Sequence, residues 1–169
     1  MLSDIQVLQI KNAVTRILHA PGNFNGGILE MAIVADGHIP VEELKADLKK
    51  IAQMLKKDDT FRNVRLNLIK WISEDCIEKE VIPMMYLLTG SVFEKQLETE
   101  TGTKTLDELF RQLKLFYARS KVILVLTDGS YEVADKEAVK AYLQPFLARK
   151  LLLINNGEQI PGTKLFLTL

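Results

Sequence analysis

Two apolar runs that each stop at an Asp-Gly pair constrain this chain most. The first lies in residues 28–40, ILEMAIVADGHIP, and the second in residues 121–129, KVILVLTDG. A continuous apolar run of strand length suits a strand covered on both faces, because neither face then meets water. Strands of this kind separated by helical patterns imply a mainly parallel sheet with right-handed crossovers. In such a sheet both runs end at the same edge, so Asp36 and Asp128 emerge together. That edge, at the carboxyl ends of the strands, is where open α/β sheets place ligands.

Composition removes several classes of function. A length of 169 residues fits one domain with its own core. Hydrophobic residues make up 47%, yet no apolar run approaches the ~20 residues that span a bilayer, so no membrane insertion is expected. Lys+Arg and Asp+Glu both count 22, and this neutral balance argues against nucleic acid as a partner. Cys76 is the single cysteine, which excludes an intrachain disulfide and a zinc site built from cysteines. The amino terminus, MLSDIQVLQIKNAV, lacks the basic region and long apolar block of a secretory signal, so a cytoplasmic location is expected.

The remaining elements follow from periodicity and capping. Residues 3–19 read as an amphipathic helix capped by Ser3, with Ile5, Leu8, Val14, Ile17 and Leu18 on its apolar face. Residues 20–27, APGNFNGG, break it, which divides the chain into an accessory helix and linker (1–27) and a body (28–169). A helix over 40–57 has Pro40 at its first position and an apolar face of Val41, Leu44, Leu48, Ile51, Ala52 and Leu55. Its basic residues Lys49, Lys50, Lys56 and Lys57 read as a solvated face. Residues 64–71, VRLNLIKW, alternate as a half-buried strand. The turn Ser73-Glu74-Asp75 then leads to an antiparallel edge strand over 77–82, where Pro83 is tolerated. A loop and short helix are expected over 83–93. Thr105 and Glu108 form a capping box for a helix whose stripe is Leu106, Leu109, Phe110, Leu113, Phe116 and Tyr117. Asp135 caps another helix, with Val139, Tyr142, Leu143 and Phe146 inward and Pro145 ending or kinking it. Strands over 151–154 and 164–168, separated by an Asn155-Asn156-Gly157 turn, complete the chain. The fold class is α/β and Rossmann-like: a mainly parallel central sheet, an antiparallel edge strand, and helices on both faces.

Between the two acids in sequence lies Thr101-Gly102-Thr103-Lys104-Thr105, a polar loop ahead of a helix. Two carboxylates and a hydroxyl on one rim are the oxygen ligands that a hard divalent cation takes. The alternative is that each Asp-Gly is turn chemistry alone, the Asp accepting backbone N–H bonds and the Gly supplying positive φ.

The element order, the Thr-Gly-Thr loop opening a helix, and the strand ending Leu126-Thr127-Asp128-Gly129 resemble a von Willebrand factor A-type domain. The resemblance covers roughly residues 28–169. That family's metal-ion-dependent adhesion site uses Asp-x-Ser-x-Ser after the first strand, a Thr from a Gly-Thr loop, and an Asp after the fourth strand. By that resemblance Asp36, Thr103 and Asp128 are the metal residues, with Mg2+ or another divalent cation as the implied cofactor. The two Ser positions hold His38 and Pro40 here, and Lys104 brings an ammonium that competes with a cation. The resemblance therefore implies a degenerate site with weak or absent metal dependence. His38 reads either as a turn residue or as an imidazole ligand shifting preference towards zinc or another transition metal.

The function implied is a non-catalytic protein-protein interaction module. Its partner is another protein, and its surface is the rim of Asp36, Gly37, His38, Thr103, Asp128, Gly129 and Ser130. The alternative is a metal-dependent, nuclease-like hydrolase using Asp36 and Asp128, with Glu74 or Asp75 as a third acid. No phosphate-binding Gly-x-Gly-x-x-Gly or Walker pattern occurs. Cys76 follows an acidic turn, which disfavours its thiolate, so it is a poor nucleophile candidate.

Overall fold

The computed structural model describes residues 2–19, 29–57, 61, 64–73, 76–83, 87–88, 103–144, 150–155 and 165–168. Over these residues the order is α1 (Asp4–Leu18), β1 (Leu29–Asp36), α2 (Val41–Leu55), β2 (Val64–Ser73), β3 (Cys76–Pro83), α3 (Leu106–Phe116), β4 (Val122–Leu126), α4 (Lys136–Leu143), β5 (Leu151–Asn155) and β6 (Leu165–Thr168). The strands make one sheet in the order β3-β2-β1-β4-β5-β6. Neighbours from β2 through β6 pair in parallel, and β3 returns antiparallel along β2 at the edge. This is a Rossmann-like α/β fold. The chain builds outward from β1 to β2 on one side and resumes with β4 on the other. The topological switch therefore falls between β1 and β4.

The apolar runs explain why these two strands are central. Leu29, Met31, Ile33 and Ala35 of β1 share a core with α1, α2, Leu66 and Leu68 of β2, and Leu124 and Leu126 of β4. Ala32 and Val34 face the opposite way, towards α3, α4, Ile69, Trp71, Ile123 and Val125. Burying a large aliphatic side chain is worth about 1.5–3 kcal/mol, so a strand with such residues on both faces forfeits half of that gain anywhere but the middle. β2 departs from the half-buried expectation for the same reason. It is buried from Leu66 through Ile72, including Asn67 and Lys70, because it lies inside β3 and contributes to both cores.

The amino-terminal helix, expected as an accessory element, packs with α2 into the core on the first face. Val7, Ile10, Val14, Ile17 and Leu18 of α1 are buried in the same core as α2 and β1. Ser3 caps α1 through a reciprocal capping box with Gln6. The Leu2 N–H donates to Asp47 Oδ1 at 2.8 Å, and Lys50 Nζ donates to the Leu2 carbonyl at 2.8 Å, tying the entry of α1 to α2. The apolar face is turned from the expected one: Ile5 is 73% and Leu8 46% exposed. Positions 7, 10, 14, 17 and 18 continue a three-four ladder, whereas a ladder through Ile5 and Leu8 runs into Asn12 and Thr15.

Three local differences have equally simple causes. Pro40 is the N-cap of α2, one position before the helix proper. Thr105 caps α3 by accepting the Glu108 N–H at 3.3 Å, but the Glu108 carboxylate turns forward to Arg111 and Gln112, so the capping box is not reciprocal. Phe116 and Leu115 at the end of α3 are exposed, and the stripe closes instead on buried Tyr117. The expected linker at 20–27, the acids Glu74 and Asp75, residues 84–86 and 89–93, Thr101 and Gly102, Pro145 and Phe146, and the turn residues Asn156 and Gly157 lie outside the described residues. Among the described residues no helix is long and apolar enough to cross a membrane.

The packing of α1 makes a direct prediction. Ile10→Ala is expected to lower the unfolding free energy by about 2–5 kcal/mol, as deletion of a buried aliphatic side chain does. Ile5→Ala is expected to stay within about 0.5 kcal/mol of the parent. Urea unfolding of both variants distinguishes a core helix from an appendage, which would leave both values unchanged.

Candidate functional site

The carboxyl ends of β1 and β4 meet at the topological switch, where Asp36 closes β1 and Thr127-Asp128-Gly129-Ser130 follow β4. The residues leading into α3 are laced to the same edge. The Glu132 N–H donates to the Lys104 carbonyl at 3.0 Å, and the Leu106 N–H to the Glu132 carbonyl at 2.9 Å. The Tyr131 ring stacks on Trp71 with centroids 5.8 Å apart. Lys104 is thereby carried over the end of the sheet.

Asp36 is completely buried, so its carboxylate depends on partners. Oδ1 receives the Lys104 ammonium and the His38 backbone N–H, the latter at 2.9 Å. The Thr127 hydroxyl donates to Oδ2 at 2.6 Å. Lys104 is 2% exposed, donates also to the Trp71 carbonyl at 3.2 Å, and lies 4.5 Å from the centroid of the Trp71 ring. An uncompensated buried ion costs several kcal/mol, and the pair survives here because each member has additional hydrogen bonds or a π-face. Thr127 was not expected as a site residue. Its position inside Leu-Thr-Asp-Gly, with the side chain alternating inward from Asp128, is the signal that could have found it.

Asp128 is nearer the surface and has a different set of partners. Its Oδ2 lies 2.5 Å from His38 Nδ1, and its Oδ1 accepts the Ser130 N–H at 2.9 Å. The Ser130 hydroxyl oxygen also lies 3.0 Å from His38 Nδ1. Partial burial pushes the Asp128 carboxyl up, but hydrogen bonds from His38 and Ser130 outweigh it and hold the group below its ordinary value of 3.8. Gly129 takes the left-handed conformation at φ 87°, so turn chemistry accounts for this Asp-Gly pair. Gly37 behaves otherwise: its N–H donates to the Trp71 carbonyl at 3.0 Å.

The three residues expected to share a metal are therefore distributed differently. Asp36 pairs with Lys104, Asp128 pairs with His38, and exposed Thr103 lines a shallow pocket of about 420 Å³ with His38, Gly129, Ser130 and Tyr131. A divalent cation on Asp36 would have to displace a buried ammonium, so this donor set does not fit a resident metal. Among the described residues no group of three or more His, Cys, Asp or Glu side chains could hold one. His38 is a hydrogen-bond partner of Asp128 on the rim. Nor do Ser130, His38 and Asp128 make a nucleophilic relay. Such a relay uses both ring nitrogens, one for the acid and one for the hydroxyl, whereas here both approach Nδ1. A proton on Nδ1 directed at Asp128 leaves no lone pair there to draw the serine proton.

No protein-family model matches the chain, and no curated protein matches it in sequence.

Two outcomes follow from the pairing. Asp36→Ala is expected to cost about 3–5 kcal/mol because it strands the Lys104 charge, while the double replacement Asp36→Leu with Lys104→Met is expected to cost less. Equilibrium unfolding of the single and double variants tests this, and an equal or larger loss in the double variant contradicts it. For Asp128 the folded pKa is lowered, so its contribution is present above the unfolded value of 3.8 and is lost as pH falls through the folded value. The stability gap between the parent and Asp128→Asn is expected to be open at neutral pH and to close in that acid range. A gap that does not change with pH counts against the pairing.

Proposed function

We propose that this chain is a protein-interaction module of the von Willebrand factor A type, non-catalytic and without a resident metal at its rim. The observation that carries the reading is that both rim acids already have basic partners within the chain. What remains to meet another molecule is a polar surface of Thr103, Ser130, Gly129 and the outward side of His38, spread over loops from separate elements. Loops on a rigid sheet are a common platform for recognition. In the intact family a metal joins the domain to a partner's carboxylate, and here direct hydrogen bonds take over that contact. The hydrolase reading needs Asp36 and Asp128 as metal ligands, and their engagement by Lys104 and His38 weighs against it.

A photo-crosslinking side chain placed at Thr103 or Ser130 tests the reading in the native source, with Lys49 on the outer side of α2 as control. A discrete adduct to one protein is expected from the rim positions, absent from Lys49 and lost when His38→Ala is added. Adducts from Lys49 alone, or rim adducts indifferent to His38, would overturn it.

A further inference from the structure

Lys104 stands out among the charged groups of the rim because its side chain is almost wholly buried. Its side chain is 1% exposed. An ammonium has three N–H bonds to satisfy, and around this one lie the Asp36 carboxylate, the Trp71 carbonyl and the face of the Trp71 ring. A docked molecule therefore meets Thr103 and Ser130, and never the Lys104 charge itself. The ammonium meets one Asp36 oxygen and the Trp71 carbonyl, and the second Asp36 oxygen is held by the Thr127 hydroxyl, so oxygen atoms from three strand ends gather around this one pair. Those are hard oxygen donors of the kind that divalent cations take.

We propose that Lys104 is the permanent internal cation of this rim, its ammonium occupying the position that a divalent metal would otherwise fill. A covalently attached charge cannot be diluted or chelated away, so the rim keeps its shape whatever the metal concentration. It is also a positioning charge. By holding Asp36 it fixes the acceptor of the His38 backbone N–H, and His38 in turn meets Asp128 and Ser130. This inference concerns the isolated chain, so it stands or falls independently of the docking reading above.

The test uses the full chain and Mn2+ as the probe, followed by electron paramagnetic resonance, with methylammonium as a second probe. The parent is expected to show no stoichiometric Mn2+ binding. Lys104→Ala is expected to gain one-to-one Mn2+ binding, and adding Asp36→Asn to it is expected to abolish that gain. Methylammonium should raise the melting temperature of Lys104→Ala and leave that of the parent unchanged. Stoichiometric Mn2+ binding by the parent that disappears in Asp36→Asn would overturn the proposal. So would a folded Lys104→Ala that responds to neither probe. If Lys104→Ala is recovered unfolded, refolding with Mn2+ or methylammonium becomes the readout: recovery of the native circular dichroism spectrum with either supports the proposal, and failure with both overturns it.

Discussion

A carboxylate at the end of a central strand has lost its water, and something in the protein must replace it. Asp36 shows how this chain does so: an ammonium, a backbone N–H and a hydroxyl arrive from three different segments. Each of those donors comes from a different segment at the same edge of the sheet. The loop after β1, the loop after β4 and the approach to α3 are thus tied to one buried atom group. Because interaction strength rises as water is excluded, this small cluster has more leverage over the rim than the exposed Lys140–Glu137 pair of α4 has over its helix.

The same interaction shapes what the rim offers outside. With Asp36 answered by Lys104, and Asp128 answered by His38, the surface presents hydroxyls, backbone and an imidazole edge in place of open carboxylates. The apparent Ser-His-Asp constellation is part of this arrangement. It organises the loop after β4, since Ser130 and Asp128 hold one nitrogen from two sides while Gly129 makes the tight turn between them.

Some of this was legible residue by residue. The run ending at Asp36 and the run ending at Thr127 announced central strands, because apolar residues on both faces have only one comfortable place in a sheet. Thr105 and Asp135 marked helix starts, since their side chains accept N–H groups that the first turn cannot satisfy internally. The phase of α1 was also in the sequence, in the ladder from Val7 to Leu18, although Ile5 and Leu8 offered a rival one. The opposite fates of Lys104 and Thr103 were not legible. Adjacent residues in one polar loop, one is buried and the other exposed, and only the fold decides which lies against the Trp71 ring.

By itself, the sequence determined the strand-helix rhythm, the placement of two acids at one edge, and the exclusion of an intrachain disulfide. These depend on local periodicity and residue type, which any window of the chain displays. Tertiary structure alone decided that α1 is a core helix, that β2 is buried from Leu66 through Ile72, and that Asp36 holds a lysine. Each of those depends on contacts between residues far apart in the chain, 68 positions apart for Asp36 and Lys104. Whether an acid at a strand end faces water, a metal or an ammonium is set by what the fold brings over it, and no stretch of sequence around Asp36 contains that information.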